Sequence, residues 1–211
     1  AVEIPSETHD VVVVGAGAAG VACAIEAKAQ NADVVLLEKF CRPDGNTLYA
    51  SGRICCVGSR YQKGVDDSVD AFLKDQLHET RGIGDPACLL AFAEFSGETM
   101  DWIIDMGVPL SLTKGLPFPN LSRAFFMKTD GTTGGSILLR RMLEKMKSLG
   151  VPMHVEVNGV ELIVNAAREV VGIKTLTPNG PKNYYARGGV VLTTGGFSAN
   201  EELRTAYMGP W

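Results

Sequence analysis

The sequence predicts an α/β fold with a mostly parallel sheet and a small antiparallel meander. Apolar runs rich in β-branched residues are typical of strands buried on both faces, as in parallel sheets, and three such runs occur at residues 11–14, 34–37 and 189–197. Small residues at 21–29 predict a helix between the first two. Alternating segments at 160–164 and 170–175, followed by an Asn179-Gly180 turn, predict the meander.

The first predicted strand leads directly into a glycine-rich turn, GAGAAG at 15–20. Gly15 permits a tight turn, Gly17 lets the backbone approach a pyrophosphate, and Gly20 lets the helix pack close to the strand. The unpaired N–H groups at the start of the following helix carry partial positive charge and favour phosphate.

An acidic residue, Glu38, ends the second predicted strand. It lies about twenty residues past the glycines, where a carboxylate accepts a bond from an adenosine ribose hydroxyl. This acid disfavours a cofactor with a ribose 2′-phosphate, because two negative charges would meet. The pattern therefore indicates a dinucleotide site. The alternative is an ordinary tight strand–helix–strand corner with a coincidental glutamate.

The middle of the chain predicts two helices and a long loop. One helix opens at Asp67, and a second opens at Asp85-Pro86, with Gly97 as a possible break. Residues 48–58 are small and apolar, so they either lie flat beneath a bulky aromatic ring system or form a loop in the core. Residues 111–135 have no clean period and predict a loop. Phe118, Phe125 and Phe126 in this loop either wall a ligand pocket or cover the core. Together with Leu116 they favour a larger or aromatic substrate.

The last third predicts short elements in quick succession. A helix runs from Gly135 to about Leu149, followed by a strand at 151–157. After the meander, residues 184–187 predict a separate strand before the run at 189–197. A final helix covers residues 199–207, and residues 1–9 read as a polar lead-in.

Composition excludes several functions. The formal net charge of −4 does not favour nucleic acid or an anionic membrane surface, and no apolar run is long enough to span a bilayer. Five cysteines without a CxxC pair, and three separated histidines, indicate no metal site. Cys55 and Cys56 are interpreted as small buried hydrophobes, with a redox thiol as the alternative. Localisation stays open between cytoplasmic and exported after removal of a signal.

Several motifs together resemble a known flavoprotein family. It includes succinate dehydrogenase and fumarate reductase, and the resemblance is strongest to the soluble branch of flavocytochrome c-type fumarate reductase, urocanate reductase and 3-ketosteroid dehydrogenases. The chain is similar to the N-terminal part of these proteins. The motifs follow the family's order: GAGAAG at 15–20, LLEK at 36–39, GNT at 45–47 with Ser51-Gly52, DP at 85–86, DWIIDMGV at 101–108, TGGS at 133–136 and TTGGFSAN at 193–200.

The resemblance implies a Rossmann-like FAD-binding domain of the glutathione-reductase type. Its residues would hold the pyrophosphate at Gly15, Gly17, Ala18, Ala19 and Gly20. Glu38 would hold the adenosine ribose with Lys39 beside it, and the backbone near Val160 would meet the adenine. The remaining contacts, along the pyrophosphate and isoalloxazine, would come from Asn46, Thr47, Ser51, Gly52, Thr194 and Gly195.

Three departures from the family pattern refine this expectation. Asn46 stands where membrane-bound relatives carry a histidine bonded covalently to FAD, which implies non-covalent FAD. Arg53 replaces a usual glycine, and it either contacts an anionic substrate or points to solvent. The capping domain and the second FAD-domain segment of the relatives have no counterpart within residues 1–211, so the domain is expected to be incomplete.

The implied activity is reduction or dehydrogenation of an activated carbon–carbon bond by a flavin-dependent oxidoreductase. The substrate would be a small dicarboxylate or an enone such as a 3-ketosteroid. Tyr49 and Arg53 are speculative candidates for catalysis. A non-catalytic flavin-binding fragment or module is the alternative function.

Overall fold

The computed structural model describes residues 3–113, 123–129 and 131–209. They divide into two compact units. The sheet unit comprises the residues up to 47 and from 142 onward, and the helical unit comprises residues 48–141. The strands are β1 (Ser6–Val14), β2 (Val34–Leu37), β3 (Arg53–Cys55), β4 (Leu110–Thr113), β5 (Ala124–Met127), β6 (Met153–His154), β7 (Asn158–Val164), β8 (Val170–Thr177) and β9 (Gly180–Leu192). The helices are α1 (Ala18–Ala29), α2 (Asn46–Tyr49), α3 (Val69–Glu79), α4 (Pro86–Asp105), α5 (Gly134–Ser148) and α6 (Glu201–Met208).

The sheet unit contains a six-stranded sheet in the order β6-β2-β1-β9-β8-β7. The three pairings among β6, β2, β1 and β9 are parallel, and β9-β8 and β8-β7 are antiparallel. Val12 and Val13 of β1 are fully buried, as are all four residues of β2. The predicted fold class, a mostly parallel sheet with an antiparallel meander, is therefore confirmed.

Two strands are longer than predicted. β1 begins at Ser6, so the prediction of a polar lead-in up to residue 9 was wrong. β9 is one strand of 13 residues, where the sequence predicted two. The reason is mutual pairing: the polar start of β1, from Ser6 to His9, lies beside Asn183–Ala186 of β9. Backbone hydrogen bonds between strands do not require apolar side chains, so hydrophobic patterning misses such extensions.

In the helical unit, the helix predicted to open at Asp67 begins two residues later. Ser68 is its N-cap, and the Ser68 hydroxyl accepts a bond from Ala71 N–H at 3.1 Å. The Asp67 carboxylate instead binds Arg123, whose side chain is fully buried and also pairs with Asp75. A buried guanidinium needs such partners, because an unpaired charge in the interior is costly.

Helix α4 runs unbroken through Gly97, so the predicted break there was wrong. A Cβ at Gly97 would lie 2.4 Å from the Val57 carbonyl oxygen and 2.7 Å from the Gly58 carbonyl carbon. The glycine thus serves close packing of the helix against the 57–58 backbone, and it does not end the helix.

Gly97→Ala is expected to lower the free energy of unfolding by about 2 kcal/mol, within the range for overpacking a core. Urea denaturation measures this change in the free energy of unfolding. Gly107→Ala is not a suitable control because Gly107 has a positive φ. Ala91→Gly, in the same helix, is the control for helix propensity alone. It should lower the free energy of unfolding by about 1 kcal/mol. Equal stability of Gly97→Ala and the unmodified chain would contradict the packing argument.

A second sheet occupies part of the segment predicted as a loop. β3, β5 and β4 form a three-stranded antiparallel sheet in the order β3-β5-β4. The prediction of a continuous loop at 111–135 was therefore wrong. Phe125 is buried in the core, Phe126 is 39% exposed, and Leu116 and Phe118 lie outside the described residues. The four-residue strands β4 and β5 give too short a pattern for a strand to be recognised.

Candidate functional site

The carboxyl ends of three parallel strands meet at one edge of the larger sheet. Val14, the last residue of β1, pairs in register with Leu37 of β2 on one side and Leu192 of β9 on the other. The segments that follow these strands begin at Gly15, Glu38 and Thr193 and so share this edge. Ligands of open α/β sheets bind in the crevice outside the carboxyl ends of the strands.

The glycine turn is packed tightly on its inner side. Gly15 has a φ of +107°, a conformation that side-chain-bearing residues rarely adopt. A Cβ at Gly20 would lie 1.9 Å from the Gly15 carbonyl oxygen and 2.6 Å from Thr193 Oγ1. Helix α1 therefore crosses the end of β1 at a distance that only glycine allows.

The outer side of the turn is more open. Gly17 is the N-cap of α1, in extended conformation, and as a glycine it has no side chain of its own to cap the helix. Among the described residues, a Cβ at Gly17 would meet only Thr47 Oγ1 within 4 Å, at 3.6 Å. Thr47 Oγ1 accepts a bond from Ala18 N–H at 3.1 Å. The start of α1, with its partial positive charge, is thus free of an acidic side chain in its first turn.

Glu38 is buried, with 6% of its surface exposed. Its Oε2 accepts a bond from Ala16 N–H and its Oε1 accepts one from Phe40 N–H, each at 2.9 Å. Each carboxylate oxygen has further lone pairs and can accept another hydrogen bond. The acid that ends β2 is therefore joined directly to the glycine turn.

The segment between β6 and β7 crosses the edge beside Glu38. Glu38 N–H donates to the His154 carbonyl and Val157 N–H donates to the Glu38 carbonyl, both at 2.8 Å. Glu156 adopts a φ of +57° between them. This path leads into β7, where Val160 falls at a register shift between Gly159 and Glu161. Val160 has no register partner on β8, and its side chain is 57% exposed.

The segment after β9 carries a residue to which the sequence assigned no role. Thr193 Oγ1 lies 2.9 Å from both the Val14 and Gly15 carbonyl oxygens, and Thr193 N–H donates to the Val14 carbonyl. Thr194 and Gly195, which the sequence did select, follow it and are exposed. The two consecutive threonines in TTGG were the signal in the sequence that could have identified this residue. Which of the two contacts the glycine turn depends on where β9 ends.

Two further residues selected from the sequence lie on the surface of the sheet unit. Lys39 is exposed, with its ammonium 4.8 Å from the centre of the Phe40 ring. Asn46, the first residue of α2, is also exposed. Neither residue is among those that hold the turn together.

In the helical unit, the residues after α2 pack against the start of α5. A Cβ at Gly52 would lie 2.5 Å from Gly134 Cα, and one at Gly134 would lie 2.6 Å from the Ser51 carbonyl oxygen. Gly135 N–H donates to the Ala50 carbonyl at 2.9 Å. The TGGS motif thus supports the backbone of Ser51 and Gly52, a role that the sequence alone did not reveal.

The remaining candidates in the helical unit are exposed or inert. Tyr49 is 73% exposed, and Arg53 is exposed at the start of β3. Arg53 forms no ion pair with the residues that the structure describes. Cys56 is fully buried, and this burial raises the pKa of its thiol to about 12. The protonated thiol fits the interpretation of Cys56 as a small hydrophobe.

Two features are absent from the described ranges. No helix in them is both long enough and apolar enough to cross a membrane. No three His, Cys, Asp or Glu side chains in them come together as a possible metal site.

Known proteins share this sequence and this fold. Residues 10–210 match the family model described as FAD binding domain. Urocanate reductase of Eggerthella lenta is 32% identical over 210 residues, which cover 94% of this chain and 33% of that protein. The open conformation of a flavocytochrome c3 fumarate reductase superimposes with a TM-score of 0.88 at 30% identity, covering 96% of this chain and 36% of the other.

A steroid-metabolising enzyme has the same fold. The 3-ketosteroid-delta4-(5alpha)-dehydrogenase of Rhodococcus jostii RHA1 superimposes with a TM-score of 0.82 at 28% identity, covering 97% of this chain and 51% of the other. The chain thus spans about a third of the length of the urocanate and fumarate reductases and half that of the dehydrogenase. The resemblance inferred from the motifs is confirmed, and the chain belongs to the FAD binding domain family.

Proposed function

We propose that the chain binds FAD non-covalently and serves as the cofactor-binding part of a flavin-dependent oxidoreductase. The observation that carries this is the bond from Ala16 N–H to the buried carboxylate of Glu38. It joins the acid expected to bind ribose to the turn expected to bind pyrophosphate, at the edge where α/β sheets bind ligands. An ordinary strand–helix–strand corner does not need a buried acid there.

The binding residues are assigned by the part of the dinucleotide that each would contact. In the sheet unit, Glu38 accepts from the ribose, with Lys39 beside it, and the backbone near Val160 meets the adenine. The turn and the start of α1 hold the pyrophosphate through Gly15, Gly17, Ala18, Ala19 and Gly20. Further contacts come from Asn46, Thr47, Thr194 and Gly195 in the sheet unit, and from Ser51 and Gly52 in the helical unit.

The reaction we propose is reduction or dehydrogenation of an activated carbon–carbon bond. FAD, when bound, supplies hydride transfer at its N5 atom, and the protein supplies binding, orientation and electrostatics. Tyr49 and Arg53 are the candidates within this chain for contact with substrate, since both are exposed. The exposed cation of Arg53, which has no ion-pair partner among the described residues, favours an anionic substrate such as a dicarboxylate.

Two alternatives remain distinct from this reaction. An enone such as a 3-ketosteroid is the second substrate class, favoured by the structural likeness to a ketosteroid dehydrogenase. A non-catalytic flavin-binding module is the second function. Turnover of a dicarboxylate, an enone or neither by the flavin-loaded protein, with a reduced viologen as electron donor, separates the three.

The purified protein is expected to show flavin absorption bands that leave with the small-molecule fraction on denaturation. Asn46 cannot form the histidyl bond that relatives use, so the flavin should separate completely. An absorption spectrum before and after acid precipitation measures this. Colour that stays with the precipitate would contradict non-covalent binding, and a colourless protein that takes up no added FAD would contradict the proposed function.

A further inference from the structure

One peptide group of the glycine turn is held at both of its ends. It is the group between Gly15 and Ala16. Its carbonyl oxygen lies 2.9 Å from Thr193 Oγ1, after β9, and its N–H donates to Glu38 Oε2, after β2, also at 2.9 Å. Glu38 and Thr193, which follow the two strands on either side of β1, therefore hold the same peptide group, one through its N–H and the other through its carbonyl oxygen.

The peptide is also fixed by its neighbours. Gly15 N–H donates to the Leu37 carbonyl at 2.8 Å, and Thr193 N–H donates to the Val14 carbonyl at 2.9 Å. The Thr193 hydroxyl is within 2.9 Å of the Val14 carbonyl as well, so its single proton is shared between two acceptors. Backbone bonds thus hold the end of β1, and the side chains of Glu38 and Thr193 hold the next peptide.

The orientation of this peptide sets the direction of the backbone that follows. Gly17, the N-cap of α1, comes next. Ala18 N–H already donates to Thr47 Oγ1, so the donors offered to an anion are the N–H groups that follow it in the first turn of α1. A peptide that can rotate would have to be ordered at the moment of binding, and that ordering reduces affinity. A peptide already held in place avoids this cost.

We propose that Thr193 is a positioning residue for the pyrophosphate-binding turn, acting through its hydroxyl on the Gly15–Ala16 peptide together with Glu38. The proposal rests on the proposed FAD function. It assigns to Thr193 a role distinct from the ligand contacts proposed for Thr194 and Gly195. Thr193 touches the turn and α1, since its Oγ1 lies 2.6 Å from the position of a Cβ at Gly20.

The test compares Thr193→Ala with Thr193→Ser, because serine keeps the hydroxyl and both variants lose the methyl group. Valine is unsuitable, since a methyl carbon does not fit 2.9 Å from two carbonyl oxygens. The first readout is hydrogen exchange of the Ala16 amide in the FAD-free protein. The second is the dissociation constant for FAD, measured by flavin fluorescence. Exchange of the Val13 amide, in the fully buried part of β1, reports any general loss of stability.

Thr193→Ala is expected to speed Ala16 exchange and weaken FAD binding, each by about tenfold, the effect of one net hydrogen bond. Thr193→Ser should stay within about twofold of the unmodified protein, and Val13 exchange should be unchanged in both. Unchanged Ala16 exchange in Thr193→Ala would overturn the proposal, as would equal losses in the alanine and serine variants.

The two proposals fail in different ways. If the unmodified protein binds no FAD, the proposed function fails and with it the part of the inference that concerns pyrophosphate. The exchange data then still decide whether Thr193 holds the peptide. If the unmodified protein binds FAD and Thr193→Ala binds it equally well, only the positioning role is overturned.

Discussion

Replacing Glu38 by alanine is expected to weaken FAD binding by about a hundredfold or more, equivalent to about 2.7 kcal/mol. The carboxylate is buried and accepts bonds from Ala16 N–H and Phe40 N–H. A hydrogen bond to a charged group contributes about 1.5–3 kcal/mol. The variant would lose the acceptor proposed for the ribose and would also free the turn proposed to bind pyrophosphate, so both effects should lower affinity.

Isothermal titration of the flavin-free protein with FAD measures the effect of this substitution. Glu38→Gln is expected to lie between the alanine variant and the unmodified protein, because an amide oxygen accepts hydrogen bonds but carries no charge. Glu161→Ala is the matched control. Glu161 lies on β7, where its exposed carboxylate pairs with Lys174 at 3.0 Å, and its loss should leave the dissociation constant unchanged. Equal affinities for the Glu38 and Glu161 variants would refute the ribose assignment.

Alanine at the two glycines that flank the start of α1 should give opposite results. Gly20→Ala is expected to destabilise the fold by about 3 kcal/mol or more, at or beyond the upper range for overpacking. Its Cβ would lie 1.9 Å from the Gly15 carbonyl oxygen. Neither the end of β1 nor the helix backbone can move away without breaking hydrogen bonds. Thermal or urea denaturation of the flavin-free protein measures this loss.

Gly17→Ala should leave the free energy of unfolding within about 0.5 kcal/mol, as expected for a substitution without a clash. Its φ of −72° suits alanine, and the Cβ meets only Thr47 Oγ1 at 3.6 Å. FAD affinity should nevertheless fall by about tenfold or more, because the methyl group would occupy the side on which the pyrophosphate is proposed to approach. Stable protein with unchanged affinity would contradict this approach, and an unfolded Gly17→Ala protein would contradict the open geometry at that position.

Several structural features could be predicted because they depend on neighbours in the chain. The valine run of β1 and the apolar run of β2 predicted a parallel pair, and the spacing of the glycines predicted the turn between β1 and α1. The Asn179-Gly180 turn predicted the β8–β9 hairpin. Strand burial, turn conformation and helix capping all leave a local pattern, and these parts of the fold were confirmed.

Other features depend on partners far away in the sequence. The sequence predicted a possible break in α4 at Gly97. The close approach of the Val57 backbone explains why a glycine stands within this continuous helix. The beginning of β1 is a strand because β9 lies beside it. Phe125 could have lined a pocket, but it is buried in the core of the helical unit. Propensity and periodicity do not report such pairings, so they were missed.

The sequence by itself determined the class of fold and the family, and it predicted a dinucleotide site from the glycine spacing and the acid that follows a strand, because such a ligand requires both. The tertiary structure decided which groups hold that site in shape. It placed Glu38 on the Ala16 amide, Thr193 on the Gly15 carbonyl and Gly134 against Gly52. These contacts join residues from 22 to 178 positions apart along the chain, and only the paired strands and packed helices bring such distant residues within hydrogen-bonding distance.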